Sequence, residues 1–368
     1  MKFLKPWLGK SSPPRNVRNF ITRADSGGRW VSATTPLHLD QLSEDRIHGD
    51  VHLYSPFSRI PYNPIIPETG VLFLEGGGTL GVDGWTITSD EDLLIDFSWF
   101  RTEEKMRSLG YSPPPIHETY HLRGTCLDLS STWCAGNYGH WLYDAVGRLA
   151  VLDRAGFHMN EFDHIHLPLG KSKQAGDLLD RLGIDRSKFT TPSKKTLFKF
   201  ETLVRPTLPG GHVHYHPCMA DFLRKSANVS TGDSTDRVFL HRSGTNRILS
   251  NEAEVLEMLI PRGFRVVNPA SARFGEYSNA GIVISCHQAG LADIIFNRPD
   301  TQVVELMPSD HQAQYYLSAS RTAGHDYHCF VCESTGHRQQ NAVGIPSVFD
   351  FNANVPKLAA LLDKLGCF

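Results

Sequence analysis

Between Val238 and Val331, apolar runs alternate regularly with amphipathic segments, which leaves the second half of the chain few folds to adopt. The apolar runs predict strands at residues 238–242, 264–267, 282–285, 302–306 and 327–331. The segments between them predict helices at residues 251–260, 274–280, 291–296 and 311–323. This alternation predicts a doubly wound parallel sheet, whose ligands bind beyond the carboxyl ends of the strands.

The first half of the chain has a different pattern. From about residue 29 to 127, short apolar runs separated by Gly, Pro, Asn and Asp predict a β-rich entry region. From Asn137 to Gly156, apolar residues recur at helical spacing and predict an amphipathic helix of about five turns. A strand at 162–167, a helix near 175–182 and a strand near 197–204 follow, and the polar stretch 230–236 predicts a linker.

A chain of 368 residues exceeds what one compact core usually organises. We therefore expect two α/β domains with a cleft between them. Residues 1–230 form the first, with the β-rich region at its start, and residues 231–335 form the second. Residues 336–368 are expected to pack back on the core as a tail and helix.

Charge and hydropathy exclude several classes of partner. A formal net charge of −2 without a long Lys/Arg run argues against nucleic acid. No apolar run is long enough to cross a bilayer, so membrane contact is expected to be peripheral at most. The basic start is interrupted by Lys5, Pro6 and Lys10 before a signal sequence can form, which makes the cytoplasm the expected compartment.

The seven cysteines are irregularly spaced and odd in number, which predicts reduced thiols. Cys329 and Cys332 lie beside His325 and His328, and this group could form half of a zinc site. No second cysteine pair follows, so we favour a buried strand for this segment and predict no metal.

The segment Cys286-His-Gln-Ala-Gly290 joins a predicted strand to a predicted helix. Amides and the helix dipole at such a helix start favour an anion, with His287 as a further donor and Gly290 allowing close backbone approach. A purely structural turn is the alternative.

Two further features strengthen this prediction of an anion site. Arg242 ends the strand at 238–242 and Arg247 follows in a loop, and two guanidinium groups suit the oxygens of a diphosphate. Glu305 lies near the end of another strand, where a carboxylate can accept hydrogen bonds from ribose hydroxyls. The alternatives are solvated loop arginines and a buried salt bridge from Glu305 to one of them.

Three polar residues, His140, Asp144 and Arg148, are spaced four apart on one face of the predicted helix that begins near Asn137. An imidazole or carboxylate on this face could remove a proton from a hydroxyl, as general base catalysis requires. The alternative is an internal ion pair between Asp144 and Arg148.

Several of these segments together resemble glycosyltransferase family 61. Residues 137–149 are similar to that family's Asn-x-x-His-Trp-Leu-x-Asp/Glu-x-x-x-Arg-Leu signature. The segments 242–252, 263–267, 285–291 and 304–306 follow in the family's order, so that the resemblance extends over about residues 79–332.

The resemblance implies a GT-B architecture of two Rossmann-like domains, an acceptor domain and a nucleotide-sugar domain, and an inverting, metal-independent transfer. The donor would be a nucleotide sugar, most often UDP-linked, and no cofactor is expected. It assigns Arg242, Arg247, His287 and Glu305 to the donor and His140, Asp144 and Arg148 to catalysis. We expect Gln288 and Gly290, in the loop after His287, to bind the donor as well. We expect Asp144 as the general base, with His140 orienting or replacing it, and a glycan or lipid-linked saccharide as the acceptor.

One departure from the family pattern concerns the loop after His287. The family has His-Gly-Ala-Gly where this chain has Gln288, and Cys286 precedes the histidine. A side chain at 288 is expected to narrow the loop. A nucleotide-sugar-binding protein without transfer activity therefore stays open as an alternative.

Two other motifs suggest metal ligands less strongly. Asp90-Glu-Asp92 has the spacing that holds a divalent cation in other glycosyltransferases, but its position in the β-rich region favours an acidic turn. His212, His214 and His216 alternate between prolines and glycines, and we predict a loop at an acceptor-binding edge there.

Overall fold

A computed structural model describes residues 14–55, 65–169, 172–190, 194–211, 213–229, 235–242, 247–336 and 349–368. The described chain divides into two compact units. Unit 1 comprises the described parts of Met1–Leu37 and Pro67–His212, and unit 2 those of His38–Ile66 and Val213–Phe368. Both contain helices and parallel strands, a mixed α/β organisation compatible with Rossmann-like folds.

The strands are, in chain order, β1 (Phe20–Ile21), β2 (Arg29–Thr34), β3 (Leu37–His38), β4 (Ile47–Gly49), β5 (Ile65–Ile66), β6 (Thr69–Glu75), β7 (Gly78–Leu80), β8 (Trp85–Ile87), β9 (Leu93–Leu94), β10 (Glu118–Asp128), β11 (His164–His166), β12 (Phe189–Thr190), β13 (Thr196–Pro206), β14 (Arg237–Leu240), β15 (Phe264–Val267), β16 (Ile282–Cys286), β17 (Gln302–Pro308), β18 (Asp326–Ser334) and β19 (Phe351–Asn352). The α-helices are α1 (Glu103–Ser108), α2 (Tyr138–His140), α3 (Arg148–Arg154), α4 (Lys173–Arg181), α5 (Cys218–Ala227), α6 (Glu252–Leu259), α7 (Tyr315–Ala323) and α8 (Val355–Lys364). A π-helical segment, Trp141–Val146, lies between α2 and α3, and the longest 3-10 helix among the described residues is Ala289–Phe296.

Unit 1 is built on a ten-stranded mixed sheet with the order β1-β9-β8-β7-β13-β10-β11-β12, to which β6 and β2 add beside β13. Strands β10, β11, β12 and β13 run parallel, whereas β6 and β7 run antiparallel to β13. The predicted β-rich entry region thus supplies the antiparallel strands β6 and β7 and also the parallel strand β10. An apolar cluster that includes Leu72, Phe97 and Leu203 packs on this sheet.

Unit 2 is built on a seven-stranded sheet with the order β15-β14-β16-β17-β18-β19, and β4 adds beside β18. All its strands except β19 run parallel. Strands β14 to β18 are the five that the apolar runs predict, and β15 has the predicted bounds. A core of buried residues that includes Phe239, Ile284 and Phe330 joins the sheet to α8 through Leu358 and Leu362.

The division into units differs from the predicted boundary at residue 230. Strand β4 belongs to unit 2 because Ile47, His48 and Gly49 pair with Cys329, Phe330 and Val331. Gly49 has a φ of 76°, and a Cβ there would lie 2.3 Å from the Val331 carbonyl oxygen, so only glycine fits. Helix α5 also contacts α7 and so lies in unit 2.

The helix predicted at 274–280 is wrong. The segment forms successive turns, because Gly275 has a φ of 75° and interrupts helical geometry. The Tyr277 hydroxyl and carbonyl bond instead to the Gly290 carbonyl and the Asn297 amide. Within the described ranges, no helix is long and apolar enough to cross a membrane.

Candidate active site

In unit 1 the predicted catalytic residues follow the carboxyl end of the parallel strand β10. The chain turns through residues 129–136 and enters α2, whose first amides are capped by Asn137. Its Oδ1 accepts hydrogen bonds from the amides of Gly139 (2.9 Å) and His140 (3.3 Å). The cap fixes His140 in the first turn, where strand-to-helix connections of parallel sheets commonly place functional groups.

The helix then widens into a π segment, Trp141–Val146, all of whose residues are buried. The Gly147 amide donates to the Leu142 carbonyl at 2.8 Å, a bond spanning five residues. Such segments occur often at functional sites. The sequence pattern predicted the helix but not the wider turn.

Across this turn, His140 Nδ1 lies 2.6 Å from Asp144 Oδ2. The Asp144 side chain is 1% exposed and that of His140 is 16% exposed. With Nδ1–H donating to the carboxylate, Nε2 carries the lone pair of the ring. Of the two groups, the imidazole is therefore the more accessible proton acceptor, and the buried carboxylate orients it.

Arg148 is completely buried one turn further along. Its Nε donates to the Asp144 backbone carbonyl (2.8 Å) and its Nη1 to the Pro206 carbonyl, so it ties the π segment to the end of β13. Burial, and next the charge of Arg205, lower the pKa of Arg148. Its hydrogen bonds to two backbone carbonyls argue against the predicted internal ion pair with the Asp144 carboxylate.

Unit 1 contains a second buried pair that the sequence pattern did not predict. Arg205 Nη1 lies 2.8 Å from Asp128 Oδ1, and both side chains are fully buried. Although burial alone would raise it, the pKa of Asp128 is lowered, chiefly by the charge of Arg205. The available signal was a charged residue directly after an apolar pair, Asp128 after Cys126-Leu127 and Arg205 after Leu203-Val204.

In unit 2, His287 follows β16 and its Nδ1 lies 2.5 Å from Glu305 Oε1 on β17. The Tyr327 hydroxyl donates to the other carboxylate oxygen at 2.5 Å. Glu305 is fully buried, so this geometry favours a role in positioning His287 over direct contact with a ribose. The predicted alternative, a salt bridge from Glu305 to an arginine, is also replaced by this His–Tyr pair.

Burial lowers the pKa of His287, and Glu305 offsets this only in part. The neutral ring, with Nδ1–H bonded to Glu305, offers Nε2 as a hydrogen-bond acceptor. Such a group matches a hydroxyl rather than a phosphate oxygen, so the role of His287 as a hydrogen-bond donor to an anion stays a prediction.

Arg242 and Arg247 lie near His287, as predicted. Arg242 Nη1 donates to the His287 carbonyl at 3.2 Å, and the charges of both arginines contribute to lowering the pKa of His287. Arg247 has a φ of 55°, in the left-handed region. The structure thus brings the predicted positive groups together at the carboxyl ends of β14 and β16, while residues 243–246 between them lie outside the described ranges.

The Gln288 side chain is buried and turned toward the sheet. Its Nε2 donates to the Leu240 carbonyl and to Ser285 Oγ, both at 3.1 Å. Gly290 is required for packing, since a Cβ there would lie 2.4 Å from Cβ of Pro269. Gln288 therefore supports the loop from within, and the close backbone approach expected of Gly290 is made to Pro269.

The other motifs have structural roles. Glu91 pairs with Arg15 at 2.8 Å and Asp92 accepts from Asn19 at 2.8 Å, as expected of an acidic turn. Cys329 and Cys332 are buried in β18. Among the described residues no group of three His, Cys, Asp or Glu side chains is placed to hold a metal ion. His212, from the predicted histidine cluster, lies outside the described residues.

Comparison with known proteins bears on the same residues. Residues 138–304 match the family model described as Glycosyltransferase 61. This range includes every candidate residue of both units except Glu305, which follows it directly. No curated protein shows significant similarity to the chain.

Proposed function

Because the chain contains a glycosyltransferase family 61 domain over residues 138–304, we propose that it is an inverting enzyme that transfers a hexose or pentose from a UDP-linked sugar. The acceptor in this proposal is a hydroxyl of a glycan or lipid-linked saccharide. Unit 1 binds the acceptor and unit 2 the donor, the division of tasks that the GT-B architecture implies.

The His140–Asp144 pair carries the proposal. Nε2 of His140 removes the proton from the acceptor hydroxyl. At the same time the hydroxyl oxygen attacks the anomeric carbon of the donor sugar from the face opposite the leaving group. The 2.6 Å contact with Asp144 orients the ring and stabilises the imidazolium that forms. The His140 side chain is 16% exposed and that of Asp144 is 1% exposed, which favours this assignment over the predicted use of Asp144 as the base.

In unit 2, Arg242 and Arg247 neutralise the charge that develops on the leaving diphosphate. Guanidinium groups supply this charge without a metal ion. His287, held neutral by burial and oriented by Glu305, accepts a hydrogen bond from a donor hydroxyl. The inward orientation of Gln288 removes the reason to expect a blocked donor loop and so argues against the binding-only alternative.

The test compares nucleotides first and transfer second. Melting temperatures are measured with UDP, GDP, CMP and dTDP, each with and without EDTA, because a ligand that binds the folded state raises the melting temperature. We expect UDP to stabilise the wild type equally in EDTA, and Arg247→Ala to lose the shift. The exposed Arg273→Ala is the matched control and should keep it.

Transfer from the matching nucleotide sugars is then followed by NMR, with inversion at the anomeric carbon as the expected result. A shift that requires a divalent cation would contradict metal independence. Stabilisation by none of the nucleotides would contradict the donor site, and a product with retained configuration would contradict the mechanism.

A further inference from the structure

Next to His140, unit 1 presents two partly exposed aromatic side chains, Tyr111 and Trp133, which we call the aromatic platform. The Trp133 ring centroid lies 5.1 Å from that of His140 and 5.6 Å from that of Tyr111. Trp133 Nε1 donates to the Tyr111 hydroxyl at 2.8 Å, which fixes the two rings relative to each other. Tyr111 is 37% exposed and Trp133 is partly exposed.

Buried rings hold the platform in place. Trp99 and Phe100 are 3% and 0% exposed. The Trp99 ring centroid lies 4.6 Å from that of Trp133, and the Phe100 centroid lies 4.9 Å from that of Tyr111. Edge-to-face and tilted contacts at these distances are favourable, so the platform is ordered before any ligand arrives.

The backbone of Trp133 gives an independent indication of function. Its φ is 65°, a left-handed conformation that is unfavourable for a bulky residue and is usually taken by glycine. The turn is fixed because the Trp133 carbonyl accepts from the amides of Gly136 (3.1 Å) and Asn137 (3.0 Å). Strain of this kind is retained where the side chain serves a purpose, and it clusters at ligand-binding sites.

We propose that the aromatic platform binds a pyranose ring of the acceptor and that the acceptor is therefore a saccharide. One face of a pyranose presents C–H groups that pack on the π face of an indole or phenol, while its hydroxyls stay free for hydrogen bonds. With the ring stacked on Trp133, a hydroxyl comes close to the His140 ring, whose centroid lies 5.1 Å from that of the indole. The inference rests on the proposed function and narrows its acceptor to a sugar residue with an apolar face.

Binding of four disaccharides to the full-length protein is measured by saturation-transfer NMR. The probes are xylobiose, cellobiose, mannobiose and lactose. We expect at least one to receive saturation at its C–H protons from the wild type. In Trp133→Gly, which suits the left-handed backbone but removes the ring, the affinity for that disaccharide should fall by at least about tenfold. Trp133→Phe, which keeps an aromatic face, should retain part of it.

Trp30→Leu is the matched control, since Trp30 is a partly buried tryptophan of unit 1 whose ring contacts Arg23 and Phe97. It should bind like the wild type. Contact of the wild type with none of the four disaccharides, or unchanged affinity in Trp133→Gly, would overturn the proposal.

The outcomes also separate this inference from the proposed function. His140→Gln should lower kcat for transfer by about 10²- to 10⁴-fold and leave disaccharide binding intact. If transfer proceeds in Trp133→Gly with an unchanged acceptor KM, the platform is not the acceptor site while the proposed function stands. If disaccharides bind to the platform but His140→Gln transfers normally, the catalytic assignment fails and the platform stands.

Discussion

Each unit contains a histidine whose Nδ1 is held by a carboxylate, and the two pairs differ in how they are built. In unit 1 the partners, His140 and Asp144, are four residues apart on one turn of a π segment. In unit 2, His287 and Glu305 come from two neighbouring strands, and Tyr327 from a third strand holds the other carboxylate oxygen. The His140 side chain is 16% exposed and that of His287 is 6% exposed.

The difference suits the two His–carboxylate pairs to different tasks. A partly exposed histidine on a helix can exchange a proton with a bound hydroxyl, and a buried carboxylate beside it can stabilise the charge. A histidine locked between strands and kept neutral by burial is suited to act as a fixed hydrogen-bond acceptor. A contact between a histidine and a carboxylate does not by itself identify a general base. The exposure of the imidazole also has to be considered.

The largest expected effect tests the proposed catalytic role of the His140–Asp144 pair. In His140→Gln we expect kcat for transfer to fall by about 10²- to 10⁴-fold, because the proton acceptor is lost. UDP-induced stabilisation should stay unchanged, since unit 2 is intact. His121→Gln, an exposed histidine on β10, is the control and should transfer normally. If kcat falls by less than about tenfold in His140→Gln, a group other than His140 is the general base.

An intermediate effect compares the loops that carry the two histidines. Gly290→Ala places a Cβ 2.4 Å from Cβ of Pro269, whereas a Cβ at Gly136 would meet no atom within 4 Å. We expect Gly290→Ala to lower the free energy of unfolding by about 1–3 kcal/mol. Gly136→Ala should leave it nearly unchanged. Denaturant unfolding of both variants measures the change in the free energy of unfolding. Equal stabilities would show that the loop around Gly290 can accommodate a Cβ.

The smallest effect concerns the pH dependence of stability. The pKa of His287 is lowered from 6.5 by burial, so the unfolded chain takes up a proton on this residue at higher pH than the folded chain. Its contribution to stability is therefore complete above about pH 6.5 and is lost as the pH falls from there through the folded pKa.

Melting temperatures of the wild type and His287→Gln, measured at about pH 7.5 and about pH 5.5, test this. The wild type should lose more stability on acidification than the variant, because glutamine does not titrate. Parallel losses in the two proteins would mean that His287 takes up its proton at the same pH in the folded and unfolded chain.

The sheet of unit 2 was predictable because its strands are mainly apolar and regularly spaced. Periodicity gave β14 to β18 to within a few residues, and parallel topology then placed Arg242, Arg247, His287 and Glu305 at one edge. The spacing of His140 and Asp144 likewise placed both on one helical face. These inferences depend on local pattern and on one topological rule.

What the sequence could not reveal depends on non-local contacts. The apolar residues around Trp141–Val146 have the spacing of an ordinary helix. The sequence therefore does not distinguish the π turn from an α-helical turn. The pairing of β4 with β18 joins residues about 280 positions apart, as in Phe330 with His48. The inward orientation of Gln288 depends on its hydrogen bond to the Leu240 carbonyl. The left-handed turn at Trp133 could not be predicted because no glycine occupies that position.

The early position of β4 has a consequence for synthesis. A ribosome makes residues 47–49 long before residues 329–331 exist to pair with them, so the second sheet cannot be completed until nearly the whole chain has emerged. A fragment beginning near residue 230 would leave that edge of β18 bare, a template for aggregation. Cutting the chain once between the units would therefore not yield two self-sufficient halves, whereas a fragment of unit 2 supplied with residues 38–66 would restore the missing edge.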